Sequence, residues 1–570
     1  MKNAVICFAQ TFSEGVLKTP YTKKNAAIIT ANLKKNWYFP ISAMACFCLS
    51  AALNIGYILG LVFAFGFAVF VAAQVPSLWV VAQKHSARLR IFSFISAIGI
   101  CMSIQTSFYT DLMQSAKTQA LKTLLPATAI DIPALITAAA AVVALFFVYF
   151  CLLIFWSKFI ELFTEAGIFR ELSAAEWVIY TLLFAGSLLY MIVCFTKTEA
   201  FYGNDYVHDI IYTSDSRMLV KWNAYMALTH QENDLRQPLF AVFSAPFTAI
   251  PYLLSRLTGA VSTLHGILMN SVQIGMLFVM NLLLAMMLKL DMRKRICFMV
   301  LSCFTYTHFL FTLMMEQYIV ACFWLIFCIY LIAEKKQPAR LTLWATGGTL
   351  LTGMILLPFM SRECPFKNFK AWFLDMLKYG IEFVVLLLAF CRFDIIFNLF
   401  SRIGYLSKFT GTSVTFADKI YQYTRFVSNC FFAPEAGIFE NAKGDISWQL
   451  HTASGIHWGG VAILLLVIIS LIWNRDKISS LLAAGWAGFS LVLLLGLGWG
   501  TSENGLILYA LYFGWAFLVL LFQLFEKIEV TLKTRLLIPI VSAIAVIAML
   551  AVNVPGILEM IRFATTYFPV

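Results

Sequence analysis

The sequence predicts an all-α fold, a multi-pass transmembrane helical bundle of about 13–14 spans with outer-face loops and interfacial helices. Three observations carry that expectation. Of the 570 residues 61% are hydrophobic, with a mean hydropathy of +0.83, whereas a soluble chain is nearer half apolar. Apolar runs of about 20 residues recur along the chain, long enough to cross a hydrocarbon core. Only 12% of residues are charged, and the basic ones gather in short loops between the runs, the positive-inside pattern. The net charge of +12 therefore reads as membrane sidedness. Nucleic-acid binding would need that charge in a soluble patch. The 13 cysteines lie mostly in apolar runs, as do Cys46, Cys48, Cys151, Cys194, Cys322 and Cys328. Buried Cys behaves as a small hydrophobe. No CxxC pair or Cys/His cluster with zinc spacing occurs, so neither disulfide nor structural metal is expected.

Residues 1–36 form a basic segment with Lys2, Lys18, Lys23, Lys24, Lys34 and Lys35. No apolar run with a cleavage site follows closely, so no signal peptide is read and the amino terminus is expected in the cytoplasm. Residues 37–170 read as a four-span accessory module. Runs near 37–56 and 58–82 make one hairpin, Lys84, Arg88 and Arg90 mark a cytoplasmic turn, and runs near 91–110 and 132–156 make the second. Residues 157–175 are cytoplasmic and mixed in charge.

The remaining core, 171–570, opens with a span near 176–196 that delivers the chain to an outer loop, 197–261. Within it, 238–256 is apolar enough to suggest a crossing. Parity argues against one, because Arg293-Lys294-Arg295 after the next span (262–290) would then face outward. Pro246 and Pro251 also interrupt a straight helix, so this run is expected along the outer interface. Spans near 296–313 and 314–333 place Glu316 at an outer lip and Lys335, Lys336 and Arg340 inside. The glycine-rich run 341–360 is followed by Arg362, Lys367, Lys370 and Lys378. A split or re-entrant pair of short helices fits both, since broken helices are tolerated where protein or a cavity satisfies them. A span near 379–396 leads to the second outer loop, 397–456. Runs near 457–473, 479–499, 506–525 and 535–555 complete the bundle, with Arg475, Lys477, Lys527, Lys533 and Arg535 on the inner side. The outer loops hold no Asn-x-Ser/Thr sequon, which leans towards a bacterial plasma membrane.

The chemistry concentrates in the first outer loop, Tyr202 to Phe240. It carries Asp205, Asp209, Asp215, Glu232 and Asp234 beside His208, His230, Arg217 and Arg236. A general base must reach its proton and have a tuned pKa. Asp215, in Thr213-Ser214-Asp215-Ser216, is the first candidate and Asp209 the second. Helix capping by Ser214 and Asp215 is the competing explanation. His208, Asp209 and His230 lack HxxxH spacing, so no tight metal site is expected. Weak Mg²⁺ or Mn²⁺ binding by the carboxylates stays open. Glu316 is an ionisable group at the edge of an apolar span and so a functional candidate, against simple snorkelling into interfacial water. Glu503 faces the same way. Arg217, Lys221, Arg236 and Arg256 share that side and suit an anionic lipid phosphate, with ordinary headgroup contact as the plain alternative.

These residues give a layout that resembles the GT-C superfamily of membrane glycosyltransferases, similar to the family 39 type that uses polyprenyl-phosphate sugars. In that family a first core span leads to a long outer loop with a catalytic Asp or Glu. Interfacial helices follow, ending in a His-Pro-Pro-Leu-like element. Here YTSDSRMLVKWNAYMALTHQENDLRQPLFAVFSAPF resembles that stretch, over a likeness running roughly from 176 to 555. Asp215 takes the acidic position and Arg236-Gln237-Pro238-Leu239-Phe240 the Pro-Leu element, with Gln237 in place of a usual Pro. Glu316-Gln317-Tyr318 resembles the Glu-x-Tyr opening of a later span. Glu503 to Trp515 resembles the penultimate hairpin, with Tyr509 inward. The first four spans have no counterpart in the minimal family layout.

The resemblance implies transfer of a sugar from a polyprenyl-phosphate carrier to a cell-envelope glycan, lipid or protein acceptor at the outer face, without a cofactor. Asp215 would take the acceptor proton in a single inverting displacement, with Asp209 and Glu316 as further acidic candidates. Arg217, Lys221, Arg236, Arg256, His230, Glu503 and Tyr509 would contact substrate, the cations stabilising the departing phosphate. No GxxxxGK[ST] or GxGxxG loop suggests a nucleotide sugar. The alternatives are a flippase or transporter for a lipid-linked saccharide, an O-antigen ligase or polymerase, and a scaffold. A flippase or scaffold would tolerate Asp215→Asn.

Overall fold

An apolar chain in lipid satisfies its own backbone most simply as helix. The computed structural model follows that rule. It describes residues 82–83, 85–114, 132–202, 210–214, 216, 225, 235–258, 262–334, 340–361, 367–390, 403–404, 406–440, 444–452 and 454–570. The expected hairpin at 37–82 lies almost wholly outside the described residues, as does the amino-terminal segment.

The first described helices are α1 (Ala87–Gln114) and α2 (Ile132–Ala166), within the stretch expected as an accessory module. The core begins with α3 (Ala174–Phe195), followed by α4 (Phe240–Leu257), α5 (Ser262–Met287), α6 (Met292–Phe304), α7 (Tyr306–Leu313), α8 (Gln317–Ala333) and α9 (Arg340–Thr349). A 3₁₀ turn (Leu351–Met360), α10 (Phe369–Phe390) and α11 (Phe416–Asn429) come next. Then come β1 (Ala436–Glu440), β2 (Ile446–Leu450), α12 (Trp458–Trp473), α13 (Ile478–Ser490), α14 (Ala510–Thr531) and α15 (Leu537–Tyr567). Seven described helices are long and apolar enough to cross a membrane, or eight if the bent pair α6–α7 is one span. The protein is an all-α multi-pass bundle with one small antiparallel hairpin, Ala436 opposite Leu450 through Glu440 opposite Ile446.

Local chemistry sets the helix boundaries. Ser173 and Glu176 form a reciprocal capping box at the start of α3, which satisfies two otherwise orphaned N–H groups. Asp291 caps α6, and Thr305 ends α6 while its hydroxyl accepts from the His308 N–H to start α7. The chain bends there by 60°. The expected pair of short helices over 341–360 is present, broken at Leu350. α8 is buried almost throughout, as befits a helix apolar on every side. Only 22% of the most apolar 18-residue stretch of α15 is buried, with Ile540, Ile544 and Ile547 exposed. Such a face suits hydrocarbon, not water.

The bundle has two chemically distinct ends. At one, Arg295 grips the buried Glu176 through Nε at 2.7 Å and Nη2 at 3.1 Å. Beside it Arg293, Lys294 and Lys477 pair with Glu526 and Glu529, and Lys289 pairs with Glu334. The basic clusters read as topology markers are therefore the ion-paired end. At the other end the polar loops gather into a cap, described below.

α4 tests the parity argument. α3 starts at the ion-paired end and finishes where the Tyr202 hydroxyl bridges Phe195 O and Thr263 Oγ1, each at 2.9 Å. α5 thus begins where α3 ends and runs back to the ion-paired end. α4 starts inside the bundle, where Leu239 N donates to Gly348 O and the Trp324 indole to Phe243 O. It finishes where Ser255 Oγ meets His265 Nδ1 at 3.0 Å, beside the start of α5. The segment does not change ends, although by length and composition it qualifies as a span. It differs from the expected interfacial helix in being packed inside the protein, 61% buried. Phe155, Trp156 and Phe159 of α2 surround Phe247. Both prolines sit within one continuous helix.

Sidedness gives a direct prediction. A single cysteine at the exposed Glu440, in a background lacking accessible thiols, should react with an impermeant maleimide on intact cells. One at the exposed Asp476 should react only after permeabilisation. The reverse pattern would invert the bundle.

Candidate functional site

The cap is assembled from the two long polar loops, 197–261 and 397–456. Residues 210–212 pair alongside β2, with Trp448 N donating to Ile210 O and Tyr212 N to Trp448 O, each at 2.7 Å. The Gln449 carboxamide donates to Tyr212 O at 2.6 Å. Tyr212 then takes a positive φ of 53°, a sharp turn that is uncommon for a non-glycine residue. The turn brings Thr213 against Gly505, where an added Cβ would fall 2.7 Å from Thr213 Oγ1. The flanking Ser214 and Ser216 are buried.

The second loop is tied to the 498–505 turn. Gly411 N donates to Gly498 O and Gly500 N to Phe409 O, each at 2.9 Å. Arg425 of α11 is buried and donates to Asn504 Oδ1 at 2.7 Å and to His451 O. Burial pulls its pKa below the usual guanidinium value. Asn504 Nδ2 in turn donates to Leu450 O. From α15, Asn553 Nδ2 donates to Phe304 O and Phe431 O, each at 3.0 Å, and Oδ1 accepts from Ala433 N at 2.7 Å. One buried carboxamide thus fixes the α6–α7 bend to the second loop. Burial pushes the Tyr212 phenol up to about 12, partly offset by its hydrogen bond with Tyr306 at 2.6 Å. Both phenols therefore stay protonated near neutrality.

α11 and α12 meet closely enough to make a second prediction. A Cβ on Gly460 would fall 1.7 Å from Thr424 O, a backbone atom. Gly460→Ala should therefore separate the two helices and destabilise the protein by about 1–3 kcal/mol. Thermal unfolding in detergent measures this, and unchanged stability would refute the close packing.

Beneath the cap, Glu316 is fully buried at the N-terminus of α8. The sequence placed it at a lip, where snorkelling was open. Its burial removes that reading. Its carbonyl accepts from Gln273 Nε2 at 2.6 Å. Gln273 also reaches the hydroxyl of Tyr225, a first-loop residue lodged between α4 and α5, whose carbonyl accepts from Ser244 Oγ at 2.5 Å. An aromatic chain links this floor to the cap. Tyr318 packs on Tyr512 and Tyr509, ring centroids 5.2 and 6.0 Å apart. Gln237 Nε2 donates to Tyr512 Oη at 3.2 Å and Trp499 Nε1 to Tyr509 Oη at 2.9 Å. Arg236 lies 4.9 Å over the Phe409 ring, which packs on Trp499.

The structure thus brings Glu316, Arg236 and Tyr509 into one neighbourhood, with Glu503 exposed at its rim. It does not bring Arg256 there. That residue is exposed at the far end of α4, over Tyr252 and near His265. Arg236 precedes the start of the same helix, so its 18 residues, about 27 Å, separate them. Asp215, Asp209, Arg217, Lys221 and His230 lie outside the described residues, as do His208, Glu232 and Asp234. Among the described residues no group of three or more His, Cys, Asp or Glu side chains is placed to hold a metal ion.

The sequence reading missed Tyr212, Tyr306, Arg425, Asn504, Gln273 and Asn553. Gln273 and Asn553 carry a signal, since a polar side chain within an apolar run needs an internal partner. The others depend on long-range pairing. No protein-family model, curated protein or solved structure matches the chain.

Proposed function

We propose that the protein is a membrane glycosyltransferase moving a sugar from a polyprenyl-phosphate carrier to an acceptor at the extracytoplasmic face. One observation carries the reading. The segment that leads into Asp215 is stitched to the second outer loop, above a buried carboxylate, at one end of the bundle. A tethered lipid phosphate is confined to headgroup depth, so base, phosphate and acceptor must meet at one such place. Asp215 is the base, and it removes the acceptor hydroxyl proton as the new glycosidic bond forms and the lipid phosphate departs. Arg236, with Arg217 and Lys221, stabilises the charge on that phosphate. The cytoplasmic amino terminus and bacterial plasma membrane belong to the same proposal.

A flippase is the second reading, favoured by the 60° break between α6 and α7, because broken helices at membrane depth often line transporter sites. The test is transfer by the purified protein in detergent, from a polyprenyl-phosphate hexose or pentose to a membrane-lipid or glycan acceptor. Product formation supports the first reading. Scrambling of the donor across proteoliposomes without product favours the second.

A further inference from the structure

Between the β-hairpin and α15 lies an open cleft of about 460 Å³ whose lining includes Tyr212, Tyr306, Glu435, Trp448, His451 and Glu559. That size falls within the range of small-ligand sites. Glu435, His451 and Glu559 are exposed in it, and no Lys or Arg lines it, although the chain carries a net charge of +12. The cleft therefore disfavours a phosphate or any other anion. Its base supplies the opposite function. Tyr212 and Tyr306 are each 1% exposed and share one hydrogen bond. Two phenols own two protons, and one bond between them engages only one. Among the described residues neither hydroxyl donates the second, so a buried O–H remains for a guest. A buried donor without an acceptor is costly.

The walls are built to keep the space. Asn553 pins Phe304, Phe431 and Ala433, and Arg425 pins His451 O. α15 carries Pro555 and Gly556 where it faces the cleft. Each is an unfavourable helix residue. A Cβ on Gly556 would fall 2.8 Å from Ala433 Cβ, so glycine lets that wall close on the helix.

We propose that this cleft binds a neutral, hydroxyl-rich ring, a saccharide unit. Sugar hydroxyls both donate and accept. They donate to the Glu435 and Glu559 carboxylates and accept from the spare phenol proton and from His451. The ring's C–H face meets Pro434, Ala436 and Val552. Its role as the acceptor subsite rests on the proposed transfer, whereas binding itself does not.

Saturation-transfer NMR on the full chain, in a detergent without a sugar headgroup, tests it with methyl glycosides of neutral hexoses and pentoses. At least one should give signals from its ring protons, and the matching sugar phosphate should bind about tenfold more weakly. The double variant Glu435→Gln/Glu559→Gln, changed only at exposed positions, should weaken glycoside binding about tenfold. The paired change Tyr212→Phe/Tyr306→Phe, which removes both phenol protons and leaves no orphaned partner, should also weaken it with a nearly unchanged melting profile. No signal from any neutral glycoside, or undiminished signal in the double variant, overturns the proposal. Glycoside binding without sugar transfer would leave the cleft standing and remove the transferase reading. Transfer at full rate in a double variant that no longer binds glycoside would keep the transferase reading and remove the cleft's role as its acceptor subsite.

Discussion

Asp215→Asn should lower sugar transfer by about 10²–10⁴-fold, the usual contribution of a general base, while donor binding survives. The substitution keeps shape and hydrogen bonding but removes basicity, so kcat falls and the dissociation constant for the lipid donor does not. Its neighbours Ser214 and Ser216 are buried under the cap, so a carboxylate between them that only capped a helix would instead affect stability. Steady-state transfer and thermal unfolding on the same preparation separate the two roles. Loss of stability with full transfer would make Asp215 a cap. Full activity in Asp215→Asn with an inactive Asp209→Asn would move the base to Asp209. Full activity in both would end the transferase reading.

The second large effect is expected at the opposite end. Arg295→Leu should destabilise the protein by about 3–5 kcal/mol, the cost of leaving a buried charge uncompensated. Glu176 is 0% exposed and already accepts from Ser173 N at 2.8 Å. Its remaining charge is met by the bidentate guanidinium, which also donates to Leu290 O and Glu171 O. Arg295 therefore ties α3, α6 and the 171 turn together. Adding Glu176→Gln to Arg295→Leu should recover part of the loss, because the buried charge is gone. Apparent unfolding temperatures of wild type, single and double variants decide it. A single variant as stable as wild type would reduce the pair to a surface contact.

The distinction between what the sequence announces and what it hides follows the range of the interaction. The apolar runs and the split of the glycine-rich run over 341–360 depend on neighbouring residues and were legible, whereas the Ser173 cap, equally local, was not read. Arg293, Lys294 and Arg295 marked an end of the bundle by charge alone. The acidic partners of Arg293 and Lys294, Glu529 and Glu526, stand over two hundred residues away, Glu176 stands over a hundred from Arg295, and nothing local predicts them. The pairing of 210–212 with Trp448 is likewise a backbone match across the chain and leaves no pattern in either segment. α4 shows a subtler limit. Parity argued against a crossing, but an apolar run reads alike against lipid or protein, since lipid tails are as apolar as leucine. Only the rings of α2 around Phe247 reveal that it is buried. In the candidate site, Glu316 was legible as an acid in an apolar span, while Arg425 and the phenol pair were not, because each is made functional by a distant partner.

On the proposed function, the cap end holds the lipid phosphate beside Asp215. A cryo-electron microscopy map of the protein with added polyprenyl phosphate tests this most directly. Phosphate density is expected within hydrogen-bonding reach of the 213–217 segment or of Arg236, on the cap side of Glu316. Phosphate held instead at the opposite end, among Arg293, Lys294 and Lys477, or against the α6–α7 bend, would contradict it.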